Sequence, residues 1–455
     1  ALAEGDAHAL PHWAANLPFV IILLCIAVLP LIHRTEHWWH ANKNKLLVSA
    51  VLGSITLAYY GFAHMYHGAP NGLASVGKVL THAIVDEYIP FIVLLFSLYT
   101  IAGGIELRGD LKARPLTNTM FIGVGTLIAS FVGTTGAAML LIRPLLRTNK
   151  ERRKVVHTVV FFIFAFCNCG GLLLPIGDPP LFLGYLRGVP FTWTLQLLPE
   201  FLVVNCSLLV IYYLWDRWAY AREETRAIVH DETAVEPLSI NGKLNFLLLA
   251  GVVCCVAFLD PNKKVPGTDW SPPMFLREGL QLLLAALSYK VALFTPAGLR
   301  QRVSFDFFAI AEVACLFIGI FITMQIPLEV LNAKGTELGV DSPMKFFWIT
   351  GILSSFLDNA PTYVVFFETA KTMPPMGSVL ALPGGASICE DFLIAISLGA
   401  VFMGANTYIG NGPNFLVKAI AEQAGVKMPS FFGYMKYSVG ILVPLFAVVS
   451  LIWFL

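Results

Sequence analysis

Long apolar runs alternate with short polar stretches along almost the whole chain. Most runs have the roughly 17 to 25 residues that an α-helix needs to cross a bilayer, with few charged residues inside them. Because they are too long and too uniformly apolar for barrel strands, they predict an all-α polytopic membrane protein. The runs lie at 17–33, 46–62, 88–105, 115–146, 155–186, 200–216, 244–260, 274–293, 306–326, 343–370, 391–417 and 432–455.

Two of these runs are interrupted at their centres by the same kind of sequence. Ile176–Leu183 reads I-G-D-P-P-L-F-L, and Ile409–Leu416 reads I-G-N-G-P-N-F-L. Glycine, proline, aspartate and asparagine at these points predict broken transmembrane helices, 155–186 and 391–417. Paired breaks are typical of secondary transporters, in which half-helix ends and freed carbonyls hold an ion near the bilayer midplane.

Two other runs predict re-entrant hairpins. The run 115–146 has no charged residue from Pro115 to Ile142, yet it has basic clusters on both sides. A hairpin that turns at Gly133–Gly136 keeps both clusters in the cytoplasm, whereas a single crossing would not. The run 343–370 has Ser354–Thr362 at its centre, and a shift of 225 positions aligns it with the first hairpin.

These elements predict two repeats of inverted topology, with ten crossings and two hairpins. The predicted parts are an external N-terminal segment 1–16, a first repeat 17–216, a cytoplasmic linker 217–243 and a second repeat 244–455. This topology places 21 of the 30 lysines and arginines in the cytoplasm, as the positive-inside rule favours. A polar start at Ala1 without methionine suggests a removed signal peptide, and hence an external N-terminus on a bacterial inner membrane.

Composition narrows the function class. The chain is 57% hydrophobic and 13% charged, with a mean hydropathy of +0.72, which excludes an ordinary soluble domain. A net charge of +1 provides no field for nucleic acid. Seven of the eight cysteines lie in apolar runs, so no disulfide framework is predicted. Neither an enzyme nor a cofactor is indicated.

The candidate chemistry lies in two carboxylates, Asp178 and Asp358, inside the breaks of apolar segments. An ionised carboxylate in a bilayer costs roughly 2.5 to 3.5 kcal/mol on insertion scales, so it is seldom present without a function. The second hairpin and the breaks add oxygen ligands for a hard cation, Ser355, Asn359, Thr362, Asn168, Asn406, Thr407 and Asn411. Asp178 before Pro179 could also be only a helix N-cap. Glu312 and Glu106 are candidate proton relays, with an interfacial role favoured for Glu106 and a buried ion pair equally open for Glu312.

Two motifs resemble a known family. G-G-x-x-x-P-I-G-D-P-P at Gly170–Pro180, after Asn168, and S-x-L-D-N-x-P at Ser355–Pro361 are similar to the ion transporter superfamily. Within it, the chain resembles the NhaD-type sodium/proton antiporters and the related citrate transporter family. The second broken helix departs from the antiporter pattern at Met403–Thr407. The resemblance implies two scaffold and two transport domains, and a homodimer.

Function is predicted from the carboxylates. Na⁺ and H⁺ would compete for the same buried group, which with alternating access is sufficient for Na⁺/H⁺ antiport. The alternative is a Na⁺-coupled citrate or dicarboxylate transporter, although only Arg143 and Arg187 could clamp a carboxylate substrate. A further alternative is a non-transporting subunit of a larger membrane complex. The predicted partners are sodium ions, protons and the lipid bilayer, with citrate under the alternative.

Overall fold

A computed structural model describes residues 10–66, 72–225, 228, 231, 236–261, 263, 264 and 267–455. Residues 1–9 of the predicted N-terminal segment and parts of the predicted linker therefore lie outside the described residues. The helices before that linker are α1 Leu17–Val28, α2 His33–His40, α3 Asn42–Phe62, α4 Leu73–Leu80, α5 Ile89–Ala102, α6 Pro115–Val132, α7 Thr134–Thr148, α8 Val156–Phe161, α9 Pro179–Leu186 and α10 Leu198–Tyr220.

The helices after the linker are α11 Asn245–Phe258, α12 Leu276–Lys290, α13 Leu299–Arg302, α14 Phe308–Thr323, α15 Gln325–Lys334, α16 Pro343–Phe356, α17 Asn359–Lys371, α18 Glu390–Met403, α19 Gly412–Gln423 and α20 Phe431–Trp453. Among the described residues, six helices are long and apolar enough to cross a membrane, or seven if α14 and its bent continuation form one span. The prediction of an all-α polytopic membrane protein is confirmed.

Several predicted spans are shorter than a full crossing because their backbone leaves the helical conformation. The first broken run consists of α8, a π-helical turn Phe162–Phe166, a 3₁₀ turn Cys169–Gly171, a non-helical stretch and α9. The second consists of α18, a 3₁₀ turn Gly404–Asn406, a non-helical stretch and α19. Both breaks thus lie where the glycine and proline pattern predicts them.

Hydrogen bonds between the two ends of the first hairpin hold its arms together. Helices α6 and α7 are separated only by Gly133, whose φ of +83° is a conformation that glycine adopts without strain. Asn118 near the start of α6 and Asn149 just after α7 exchange two side-chain hydrogen bonds of 2.8 and 3.0 Å. The two arms therefore run antiparallel. Their orientation in a membrane, and with it the inverted repeat, stays a prediction.

Four short strands form two antiparallel pairs. Strand β1 Glu106–Asp110 pairs with β2 Glu236–Asn241, which belongs to the predicted linker, and β3 Val379–Ala381 pairs with β4 Ser387–Cys389. The β1–β2 register shifts between Arg108 and Asp110. Gly109 lies at this shift with φ of +135°, and a Cβ there would contact the backbone of Leu238, so glycine is required at this bulge.

The chain divides into two compact units, 1–92 with 307–342 and 364–393, and 93–306 with 343–363 and 394–455. In the first unit, α3 packs along α14 at Gly319, where a Cβ would collide with Ser49. In the second unit, the run Phe161–Phe166 is fully buried, with the rings of Phe162 and Phe166 stacked 4.5 Å apart. All residues of the candidate cation site belong to this second unit.

Candidate cation site

Asp178 is placed at the site by the unwound stretch between α8 and α9. The stretch folds back tightly, because a Cβ on Gly177 would collide with the backbone of Gly171. Helix α9 then starts at Pro179, with Asp178 as its N-cap residue in extended conformation. The side chain makes no capping hydrogen bond to α9. The interpretation of Asp178 as only a helix cap is therefore wrong, because its oxygens are directed to other elements.

The second break repeats this geometry with an amide in place of the acid. A Cβ on Gly410 would lie 2.5 Å from the carbonyl oxygen of Gly404, as Gly177 approaches Gly171 in the first break. Asn411 is the N-cap residue of α19, again without a side-chain cap. Two half-helices thus begin at equivalent points, and each presents the positive end of its dipole there.

Three neutral side chains donate hydrogen bonds to the Asp178 carboxylate. The Asn359 amide donates to Oδ2 at 2.7 Å. Asn411 and Thr134 donate to Oδ1 at 3.0 and 3.1 Å. All four side chains are buried, and Asp178 is only 1% exposed. The second hairpin, the second broken helix and the first hairpin therefore meet at one carboxylate from the first broken helix.

A chain of amides extends from this carboxylate. Asn411 also donates to Oδ1 of Asn168 at 3.2 Å, and Asn168 donates to Oδ1 of Asn414 at 2.8 Å. Asn414 in turn donates to the carbonyl oxygens of Gly404 and Thr407, each at 2.9 Å. This network fixes the amides and the freed backbone of both breaks relative to one another.

Ser355, Asn406 and Thr407 form a second group beside the second hairpin. The Asn406 amide donates to Oγ of Ser355 at 2.9 Å, and the Thr407 hydroxyl donates to the Ser355 carbonyl oxygen at 2.5 Å. Oδ1 of Asn406 is buried and receives no hydrogen bond from the residues that the structure describes. A buried acceptor without a donor is the kind of oxygen that a cation satisfies.

Asp358 has a different local role. Its Oδ1 accepts the backbone N–H of Ala360 at 3.0 Å, and its carbonyl oxygen accepts the hydroxyl of Thr362 at 2.9 Å. These contacts cap the start of α17. Asp358 is nevertheless close enough to Asp178 for the two carboxylates to interact electrostatically. A cation shared by this region would relieve that repulsion.

Both candidate relay residues form ion pairs. In the first unit, Glu312 lies 2.7 Å from Nζ of Lys45. In the second unit, Glu106 on β1 accepts from Arg302 at 3.2 Å and from Asn241 at 3.0 Å. For Glu312, the buried-pair interpretation therefore has a named partner. Glu106 is buried in the β1–β2 strand pair, and its position at the membrane interface stays a prediction.

Two members of the site were missing from the residues predicted to form it, Thr134 and Asn414. The shift of 225 positions places Thr134 opposite Asn359, so the repeat contains a signal for it. Asn414 is the third residue of α19 and lies inside the repeated motif Ile409–Leu416, so the sequence marks its position. Its role depends on tertiary contacts with Asn168, which sequence spacing does not reveal.

Among the described residues, the site has no positive side chain in direct contact. In the part of the chain that the structure describes, no lysine or arginine donates a hydrogen bond to Asp178, Asn359 or Asn411. Among the described residues there is also no group of three or more histidines, cysteines or acids that would hold a transition metal. The arrangement is one carboxylate that accepts hydrogen bonds from two amide N–H groups and one hydroxyl.

Residues 7–454 match the family described as "putative citrate transport". The chain belongs to this citrate transport family. The match covers nearly the whole length, so it includes both broken helices and both hairpins. The protein is therefore a multi-pass membrane transporter. Comparison with curated proteins finds no match.

Proposed function

We propose that this member of the citrate transport family exchanges Na⁺ for H⁺ by alternating access. The observation that supports the proposal is the shell of Asp178, a buried carboxylate that is surrounded by neutral amides and hydroxyls. In this arrangement none of the described residues that donate to the carboxylate carries a positive charge. A small cation or a proton is the ligand that would neutralise the Asp178 carboxylate.

The asparagine side chains around Asp178 can present either hydrogen-bond donors or oxygen ligands to the site. Each asparagine side chain has a donor end and an acceptor end. Asn359 and Asn411 present their donor ends to Asp178 here. Rotation of either amide would present an oxygen to Na⁺ beside the carboxylate, in the oxygen coordination that hard cations prefer. Asn406, Ser355 and Thr407 would contribute further oxygens from the neighbouring group.

Protons would compete with Na⁺ for the same carboxylate. Because Asp178 is buried, an ionised state without a cation is costly, and either ligand relieves that cost. Binding of one ligand then excludes the other. With residues 1–16 on the external side of a bacterial inner membrane, the exchange would connect the cytoplasm with the outside.

Na⁺-coupled citrate transport is the second candidate, and the family match favours it. A carboxylate substrate would meet Asp178 and Asp358, both negative. It would therefore need bound Na⁺ ions or the N-termini of α9 and α19 to supply positive charge. In this scheme Na⁺ and citrate strengthen each other's binding, because coupling between two ligands is reciprocal.

Calorimetric Na⁺ titrations of the purified protein at several pH values, with and without citrate, separate the two candidates. Antiport predicts that Na⁺ affinity weakens as pH falls. Where one proton displaces one ion, the loss of affinity should approach about tenfold per pH unit. Citrate should have no effect on Na⁺ affinity. Na⁺ binding that is independent of pH and tightens with citrate would favour the second candidate instead.

Transport in proteoliposomes gives the matching functional test. Internal pH is followed while Na⁺, Li⁺, K⁺ or citrate is added outside, first with the natural chain and then with Asp358→Asn. We expect Na⁺-dependent proton movement that the variant loses while it remains folded. Retained proton movement in the variant would remove Asp358 from the exchange site.

A further inference from the structure

A cavity lies in the same compact unit as the cation site, between β1, α7 and the stretch after α12. It has a volume of about 40 Å³, which is room for roughly three to four water-sized groups. Three arginines and one acid provide its charged lining, Arg143, Arg147, Arg302 and Glu106. Apolar side chains such as Met139 and Val303 line the rest.

The charges that line the cavity sum to +2, since three guanidinium groups meet one carboxylate. That carboxylate is already shared, because Glu106 accepts from Arg302 and lies 3.5 Å from Nε of Arg108. Asp306 also acts electrostatically on Arg143, although it does not line the cavity. Counting Asp306 as well, the cavity still has excess positive charge.

Arg143 provides the sharpest sign of a missing ligand. Its Nη1 atom is buried and makes no hydrogen bond among the described residues. Arg147 lies one turn further along α7 and lines the same cavity, because residues at i and i+4 share a helix face. A buried guanidinium donor without an acceptor is costly, and an oxyanion in the cavity would supply one.

A fourth arginine adjoins this cavity behind Phe305. Arg300 stacks on the Phe305 ring with its guanidinium carbon 4.7 Å from the ring centroid. Its Nε and Nη1 atoms are buried without hydrogen-bond partners in the described part of the chain. Burial lowers the pKa of Arg300 to about 10, because desolvation disfavours the charged guanidinium.

We propose that the cavity between Arg143, Arg147 and Arg302 binds a phosphate group. Arginine forks match the several oxygens of a phosphate, and more than one fork can share them. The apolar part of the lining suits the glycerol end of an anionic phospholipid. A soluble phosphate ion has the same head-group chemistry, and the test distinguishes the two sources.

The position of the cavity separates it from the cation site. Thr134 contacts Asp178 at the first residue of α7, and Arg143 lies nine residues further along the same helix. At a rise of 1.5 Å per residue this is about 13.5 Å. The phosphate would therefore bind at the far end of a helix whose first residue belongs to the cation site. This inference rests on the arginines and does not depend on which ion the protein transports.

The test is thermal unfolding of the full chain in detergent, with each of four additions, dioleoyl phosphatidylglycerol, dioleoyl phosphatidylcholine, inorganic phosphate and citrate. Phosphatidylglycerol should raise the unfolding temperature more than phosphatidylcholine does, because a ligand that binds only the folded state stabilises it. The double variant Arg143→Gln/Arg147→Gln should weaken the apparent affinity for phosphatidylglycerol by about tenfold or more. Arg217→Gln, an exposed arginine on α10, is the matched control and should behave as the natural chain.

Arg143→Lys covers the case in which the double variant does not fold. It keeps the charge and loses the fork, so an intermediate affinity for phosphatidylglycerol is expected. Stabilisation by inorganic phosphate alone, lost in the double variant, would identify a soluble phosphate as the source and support the site. Equal responses of the double variant and Arg217→Gln to both phosphates would overturn the proposal. Stabilisation by citrate alone would also overturn it, in favour of a carboxylate site.

Discussion

Asp178 and Asp216 are both buried carboxylates of the same unit, with 1% and 0% exposure, but their surroundings differ. Asp178 accepts hydrogen bonds from two amides and a hydroxyl, all neutral. Asp216 accepts hydrogen bonds from both Nη atoms of Arg152, at 2.5 and 3.1 Å, and forms a third with Nε2 of His157 at 2.8 Å. Asp216 therefore has its counter-charge within the protein, whereas the described residues give Asp178 only neutral contacts.

The difference indicates which acid is structural. A buried ion pair with both partners present is electrically neutral and needs no further ion. Arg152 and Asp216 connect α10 to the end of the first hairpin, where Asn118 and Asn149 also meet. Asp178 has the same burial without such a partner, which suits a group that exchanges ligands. The comparison predicts loss of function at one acid and loss of stability at the other.

The largest expected effect is that of Asp178→Asn on transport. The substitution removes the charge and keeps the shape, so Na⁺ should lose a charge-assisted contact of roughly 2–3 kcal/mol, or roughly 30- to 150-fold in affinity. Folding should be unimpaired, since Asn359 and Asn411 can rotate to bond the new amide. Na⁺ binding by calorimetry and proton movement in vesicles measure the effect. Unchanged Na⁺ affinity would exclude Asp178 as the ion-binding acid.

Asp216→Asn should have the opposite profile. It removes the carboxylate that pairs with both Nη atoms of the buried Arg152 and leaves Glu223, 3.8 Å from Nε, as the remaining acidic neighbour, at a cost of about 3–5 kcal/mol in the free energy of unfolding. Transport per folded molecule should not change. Denaturant titration in detergent micelles measures the cost. The control is Glu224→Gln, which removes an exposed partner of Arg153 and should have little effect. A full-stability Asp216→Asn protein that has lost transport would reverse the comparison.

A smaller effect is expected at the bend that holds Asn411 beside Asp178. A Cβ on Gly410 would lie 2.5 Å from the Gly404 carbonyl oxygen and 2.8 Å from that of Ser354. Gly410→Ala should therefore cost about 1–3 kcal/mol of stability. Gly412→Ala is the matched control, because a Cβ there meets no atom within 4 Å. Equal stability of the two variants would mean that the close approach does not fix the amide.

Sequence pattern predicted one side of this comparison and missed the other. Asp178, Asn359 and Asn411 lie in glycine and proline breaks within apolar runs, and such breaks are visible because they contradict the helical pattern around them. Asp216 lies at the polar end of α10, and Arg152 is one of a run of basic residues. Each has the sequence context of a surface residue. Their pairing follows from how α10 packs on the first hairpin, which no spacing within the sequence encodes.

The smallest effect is expected at Glu312, a predicted proton relay. Its carboxylate lies 2.7 Å from Nζ of Lys45, so by the same comparison it belongs with Asp216 as a structural acid. The Glu312 side chain is 37% exposed, so Glu312→Gln should cost at most about 1 kcal/mol in the free energy of unfolding. The pH dependence of Na⁺-driven proton movement should keep its midpoint, because the proposed mechanism assigns the exchange to Asp178. Lys45→Gln is the matched control, since it breaks the same pair from the other side. A shift of the midpoint by about one pH unit in Glu312→Gln but not in Lys45→Gln would mean that Glu312 takes part in proton transfer. In that case, a counter-charge within the protein would not identify an acid as structural.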